Sequence, residues 1–301
     1  MHQEDFVETL TQWQAGGRKV RVALAGGRTP AQVFVRVRGD GPAVTLLHGF
    51  PTSSWDWART EPLLARDYTV ISLDLPGYGA SDKPRGHRYH TAEHADVLLQ
   101  VWSHLGIDDT AVVGHDVGTS VARELLARAA EGTVPVSLRG MVLMNGSLIQ
   151  DHYTPARITR LLANPLLGPV LARGMTEQRF IASLRPLFSD AGRPSDNELR
   201  AHWTALTSDA GTARLPQLVH YIADGVANRE RWRAALASTP VPLSVVWGAL
   251  DPAIGIAVLD DVRDLLPGIP LTVLDDVGHF PQIERPIAVV AAVRTLPATT
   301  S

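Results

Sequence analysis

Gly114-His115-Asp116-Val117-Gly118 is the stretch whose reading decides the fold of this 301-residue chain. The apolar run Thr110-Ala111-Val112-Val113 leads into it, and an amphipathic stretch from Val117 to Arg128 leads out. That order is strand, sharp turn, helix. Glycines on both sides let the backbone turn tightly and expose one side chain, the arrangement of a nucleophile elbow. The usual occupant is serine, which suits acyl transfer. Here it is a carboxylate, suited to displacement at an sp3 carbon with formation of an alkyl ester that water then cleaves. The reading therefore begins with C–O or C–halogen bonds.

Outward from the elbow, residues 19–24 and 31–37 alternate in strand fashion and predict an opening antiparallel pair. Further strand-like runs fall at 43–47, 69–73, 110–114, 138–144, 242–248 and 270–275. Helical stretches fall at 53–65, 91–105, 117–130, 256–266 and 284–296. Short apolar strands alternating with helices predict an α/β fold, a mostly parallel sheet covered on both faces. Ligands bind such sheets beyond the C-terminal ends of the strands. Residues 147–239 carry helical patterns cut by prolines and no convincing strand. They predict a helical cap inserted into a core made of residues 1–146 and 240–301.

Composition narrows the chemistry. There are no cysteines, which excludes disulfides, thiolate metal sites and cysteine nucleophiles. Lys+Arg 28 against Asp+Glu 31 gives a formal charge of -3, with no basic block to track phosphates, so no nucleic-acid partner is expected. The longest apolar run, Ile287 to Val293, is too short to span a bilayer, and the acidic N-terminus lacks the apolar core of a signal peptide. A soluble cytoplasmic protein with no membrane partner is expected, its oligomeric state left open. Neither a phosphate loop nor a dinucleotide fingerprint nor a metal-spaced His/carboxylate cluster is present, so neither a cofactor nor a metal is expected.

Other candidate residues fall at strand ends. His279, in Gly278-His279-Phe280-Pro281 after the final strand, is the general-base candidate, since imidazole takes a proton from water near neutral pH. Asp251, in Gly248-Ala249-Leu250-Asp251-Pro252, is the carboxylate to orient it. The loop His48-Gly49-Phe50-Pro51 follows the third strand. There the backbone N–H of Phe50 would pair with that of Val117 to form an oxyanion hole. His48 reads as structural.

The order nucleophile, acid, histidine resembles that of the α/β-hydrolases. The chain resembles those with an aspartate nucleophile, the epoxide hydrolases and haloalkane dehalogenases, and within them the mesoderm-specific transcript family and its bacterial relatives. The matching stretches are His48-Gly49-Phe50-Pro51-Thr52-Ser53-Ser54-Trp55-Asp56-Trp57, Gly77-Tyr78-Gly79-Ala80-Ser81-Asp82-Lys83-Pro84, Val121-Ala122-Arg123-Glu124-Leu125-Leu126 and Gly248-Ala249-Leu250-Asp251-Pro252. The resemblance implies an α/β-hydrolase fold with an eight-stranded, mostly parallel sheet, an inserted cap, the triad Asp116, Asp251 and His279, and a small epoxide or alkyl halide as substrate.

Departures from the pattern discriminate between these two substrates. Dehalogenases bind the departing halide with a Trp after the nucleophile and a second donor nearby, whereas Val117 and Phe50 stand here and donate nothing from their side chains. A cap Trp such as Trp203 or Trp232 would have to substitute. Epoxide hydrolases use two cap tyrosines on the ring oxygen, and the cap holds Tyr153 and Tyr221. The favoured expectation is epoxide opening to a vicinal diol, ahead of hydrolytic dehalogenation by the same triad. A non-catalytic ligand-sensing or partner-binding protein on this fold is a third reading. Ester hydrolysis ranks last, because attack by Asp116 on an acyl carbon gives an anhydride.

Overall fold

Ala43–Leu47 is buried at every position and forms β3, inside an eight-stranded sheet of order β1-β2-β4-β3-β5-β6-β7-β8. The computed structural model describes residues 7–25, 30–149 and 157–298. The other strands are β1 Arg18–Val22, β2 Ala31–Arg38, β4 Thr69–Leu73, β5 Asp109–His115, β6 Ser137–Met144, β7 Leu243–Gly248 and β8 Leu271–Leu274. β2 runs antiparallel to both β1 and β4; all remaining pairs are parallel. The expected opening pair and parallel body are both present. Two apolar layers sandwich the sheet, one containing Val33, Leu47 and Val112 and the other Val44, Leu46 and Val113. Alternate residues of one strand thus feed opposite layers, which is why these strands read as continuous apolar runs.

In chain order the helices are α1 Leu10–Ala15, α2 Glu61–Leu64, α3 Thr91–Leu105, α4 Val117–Ala130, α5 Arg157–Leu162, α6 Leu167–Arg173, α7 Glu177–Leu184, α8 Asp196–Thr207, α9 Leu215–Leu218, α10 Tyr221–Ala227, α11 Arg229–Ser238, α12 Val258–Leu265, α13 Pro281–Glu284 and α14 Pro286–Arg294. One expected helix is broken and another starts late. The 53–65 stretch splits into a tight turn at Ser54–Trp57 and the short α2, where Pro62 starts the helix afresh. The 284–296 stretch is α14, which starts two residues late because Arg285 (φ -141, ψ 60) precedes Pro286 and is disfavoured in the helical region; the short α13 lies just before it.

Helices α5 to α11 all fall between β6 and β7. Buried polar contacts fix this helical insertion to the sheet-bearing part. Lys83 Nζ donates to the Gly79 carbonyl (2.5 Å) and to Ser208 Oγ (3.0 Å). Trp232 Nε1 donates to Glu124 Oε2 (2.8 Å), and the Arg123 guanidinium stacks 4.6 Å over the Trp232 ring. Among the described residues no helix is long and apolar enough to cross a membrane.

Candidate active site

Asp116 stands between β5 and α4 with φ 49 and ψ -109, a left-handed backbone costly for any side chain larger than glycine. Its neighbours hold it there: Asp116 N donates to the Met144 carbonyl (3.2 Å) and Gly118 N to the His48 carbonyl (3.1 Å). A Cβ on Gly118 would lie 2.3 Å from the Leu47 carbonyl oxygen, and one on Gly49 would lie 2.8 Å from Asp116 Oδ2. Only glycine lets the first helical turn pass β3 and the 48–51 loop approach the carboxylate.

That approach brings the Phe50 N–H to Asp116 Oδ2 at 2.8 Å. The Val117 N–H also hydrogen-bonds the carboxylate. Burial pushes the Asp116 carboxyl up, while His279 and these two N–H groups oppose the rise. The backbone donors expected of Phe50 and Val117 therefore converge on one oxygen-bearing group. The Phe50–Pro51 bond is cis. His48 is buried and neutral, Nδ1 on the Gly49 carbonyl (2.9 Å) and Nε2 accepting from Leu75 N (3.0 Å), as its structural reading requires.

His279 and Asp251 meet as expected from the sequence, Nδ1 to Oδ2 at 2.8 Å. Burial alone would lower the imidazole; the Asp251 charge and hydrogen bond override it, with Asp116 and Asp56 adding, and raise it to about 9. Asp251 is held low despite its own burial by His279 and by the Asn145 amide, whose Nδ2 donates at 2.8 Å. Asp251 Oδ1 accepts from Ala253 N at 2.7 Å. At neutral pH His279 is thus held as the imidazolium, paired to Asp251 and lining the same cavity as Asp116.

The cavity has a volume of about 120 Å³ and is lined by Asp116, His279, Tyr221 and Phe50 with apolar residues of α5, α7 and the 253–254 loop. Its size is of the order that holds one small aromatic molecule. Tyr221 is buried with its ring centroid 6.0 Å from that of Phe50. Tyr153 lies outside the described residues. Trp203 and Trp232 do not line the cavity, and Trp232 gives its indole N–H to Glu124. Trp55, Trp57, Trp102 and His115 are buried and do not line the cavity either. Among the described residues no group of His, Asp or Glu has the geometry of a metal site.

Several supporting residues escaped the sequence reading. Asn145 (φ 33) also accepts from Gly248 N at 2.9 Å, tying the end of β6 to the Asp251 loop. Its place at a strand's C-terminal end was the available signal. Glu284 accepts from Gly278 N (3.1 Å) and Ser189 N (3.0 Å), clamping the His279 loop to the insertion. His115 Nε2 donates to the His279 carbonyl at 2.7 Å. Asp56 accepts from Thr52 Oγ1 (2.5 Å) and faces His202 Nδ1 at 3.6 Å. Burial drives the Asp56 carboxyl well up and the His202 imidazole down to about 4.

Residues 42–286 match the family described as alpha/beta hydrolase fold. The chain is 38% identical over 290 residues to LipZ of Mycobacterium tuberculosis, which carries the name of a hydrolase, covering 96% of this chain and 98% of that one. It is 35% identical over 285 residues to the human mesoderm-specific transcript homolog protein, with 92% and 84% covered. Among solved structures, the epoxide hydrolase CorEH superposes with a TM-score of 0.73 at 20% identity, covering 93% of this chain and 98% of that one. The haloalkane dehalogenase DbeA from Bradyrhizobium elkani superposes at 0.75 and 24%, covering 93% and 97%.

Proposed function

The chain belongs to the α/β-hydrolase fold family, and on that premise we propose that it hydrolyses an epoxide to a vicinal diol through an alkyl ester on Asp116. The observation that carries this reading is the composition of the cavity wall: a buried carboxylate at the elbow, an imidazole paired to a second carboxylate and, among the described residues, one phenol, Tyr221, with no tryptophan. A carboxylate attacks a ring carbon well, and a phenol serves a developing alkoxide better than it serves a halide. Residues 147–239 act as the cap in this account.

In the first step an Asp116 oxygen forms a C–O bond to the ring carbon as the ring C–O bond breaks. The ring oxygen leaves as an alkoxide, hydrogen-bonded by Tyr221, and takes up one proton from solvent. Tyr153 is a second donor in the proposal. In the next step His279, oriented by Asp251, removes a proton from water, which adds to the ester carbonyl. The N–H groups of Phe50 and Val117 hold the oxyanion. Collapse expels the diol alkoxide, which takes its proton from His279. The Asp116 carboxyl then ionises and returns the proton consumed earlier.

Esterification removes the Asp116 charge, and that charge is one of the causes raising His279. Loss of it makes the imidazole a usable base at the moment water must be activated. The two half-reactions thus want opposite charge states of one histidine, and the chemistry itself switches between them.

Single turnover of an epoxide in ¹⁸O-labelled water tests the scheme. The expected first-turnover diol carries unlabelled oxygen, with the label in Asp116. Label in that first diol shows direct attack by water and removes Asp116 from the role of nucleophile.

A further inference from the structure

The hairpin α5–α6 has two unlike faces. Thr159 and Leu162 are buried and line the cavity, and Gly168 and Ala172 are buried behind them. Outward point Ile158 (37% exposed), Leu166 (82%), Leu167 (48%) and Val170 (63%). Four of the nine large apolar side chains exposed among the described residues thus fall within residues 158–170. Isolated exposed apolar residues are ordinary; several within one helical hairpin mark a contact surface.

The turn is built to present them. Asn164 Oδ1 accepts from both Leu166 N and Leu167 N at 3.0 Å, so the chain's own backbone uses the polar side chain there. Gly168 packs so tightly on α5 that a Cβ would lie 2.2 Å from the Leu162 carbonyl oxygen. The leucines are therefore presented on an ordered support.

Charge identifies what would cover the cluster. The whole chain is slightly acidic, yet residues 152–176 contain Arg157, Arg160 and Arg173 and no Asp or Glu. Arg160 and Arg173 are exposed beside the apolar cluster. Apolar side chains in a segment whose only charged residues, from 152 to 176, are arginines match the interface of an anionic bilayer, where the former enter the acyl boundary and the latter meet lipid phosphates. Ile158 belongs to the cluster and to the cavity wall. The same hairpin therefore separates the cavity from the surface it would touch.

We propose that the α5–α6 hairpin is a docking surface for anionic lipid bilayers, placing the cavity's Ile158 edge against the membrane so that an apolar substrate enters from it. This surface is independent of which bond the site cleaves.

The test is co-sedimentation of the full chain with extruded vesicles of phosphatidylcholine alone, or of phosphatidylcholine and phosphatidylserine in equal parts. The expected result is binding to the mixed vesicles that weakens with salt. Leu166→Ser/Leu167→Ser should lose it with an unchanged melting temperature. Arg160→Gln and Arg173→Gln should each weaken it by about fivefold. Absence of binding to either vesicle overturns the proposal. So does a wild-type dimer that the double serine variant turns into a monomer, since the patch then closes between two copies of the chain.

Discussion

Replacing Asp116 by asparagine should lower the pKa of His279. In the resting site His279 is raised from 6.5 to about 9, which is roughly 3 kcal/mol of preference for the imidazolium. If that value persisted through the cycle, only about one imidazole in a hundred would be neutral at pH 7, and ester hydrolysis would slow in proportion. The causes of the rise rank Asp251 first, by charge and hydrogen bond, and the Asp116 charge next. Two unit charges about 6–8 Å apart at an effective dielectric of about 20 interact by ~2–3 kcal/mol, or about 1.5–2 pH units. The amide that Asp116→Asn introduces mimics the neutral ester in shape and charge, so the expected fall is about one to two units. The assay is NMR titration of the imidazole signals, with His279 assigned by difference from His279→Gln and the amide verified by intact mass. An unchanged or higher value would refute the idea that esterification primes the base, and would leave the proposed second step without its general base at neutral pH.

Three further expectations follow from the same contacts. Tyr221→Phe should reduce kcat/KM on epoxides about 100-fold, the usual cost of one transition-state donor, while leaving any alkyl-halide turnover unchanged; an equal loss on both would make Tyr221 a packing residue. Asn145→Ala removes a 2.8 Å donor to buried Asp251 and leaves the Gly248 N–H without its acceptor, so guanidinium denaturation should show a loss of roughly 3–5 kcal/mol. Stability should also track the His279 proton. A folded-state value of about 9, above the ordinary 6.5, contributes stability that is complete below 6.5 and lost as pH rises through 9. Between those limits the wild type should lose more melting temperature than His279→Gln; parallel curves would contradict the ion pair. Asp251, held low, works in the opposite sense and loses its contribution on acidification.

Much of this molecule was legible before folding because parallel strands buried on both faces read as apolar runs, and because strand ends in such a sheet are where polar residues do chemistry. Asp116, Asp251 and His279 all stood at such ends. Asn145 did too, and was passed over because an amide carries no charge to draw attention. Glu284 was illegible for another reason: its partners, Gly278 N and Ser189 N, lie six and 95 residues away, the second of them in the insertion. Cavity lining was equally hidden. Whether Trp203 or Trp232 reached the site depended on how helices chopped by prolines pack, and Trp232 instead hydrogen-bonds to Glu124 of α4. The apolar surface of α5–α6 escaped for a similar reason. Leu162 and Leu166 are one residue type at helical spacing, yet one is 3% exposed and the other 82%. The expectation of no membrane partner is one from which the bilayer-docking proposal departs at this face.

Intact-protein mass spectrometry of His279→Gln, incubated with mixed epoxides and haloalkanes, tests the central claim most directly. Without a base the variant should stall at the ester. The account predicts a mass gain equal to the whole epoxide, located on Asp116 by peptide mapping. A gain equal to an alkyl group without its halogen, or an epoxide adduct on any other residue, would contradict it.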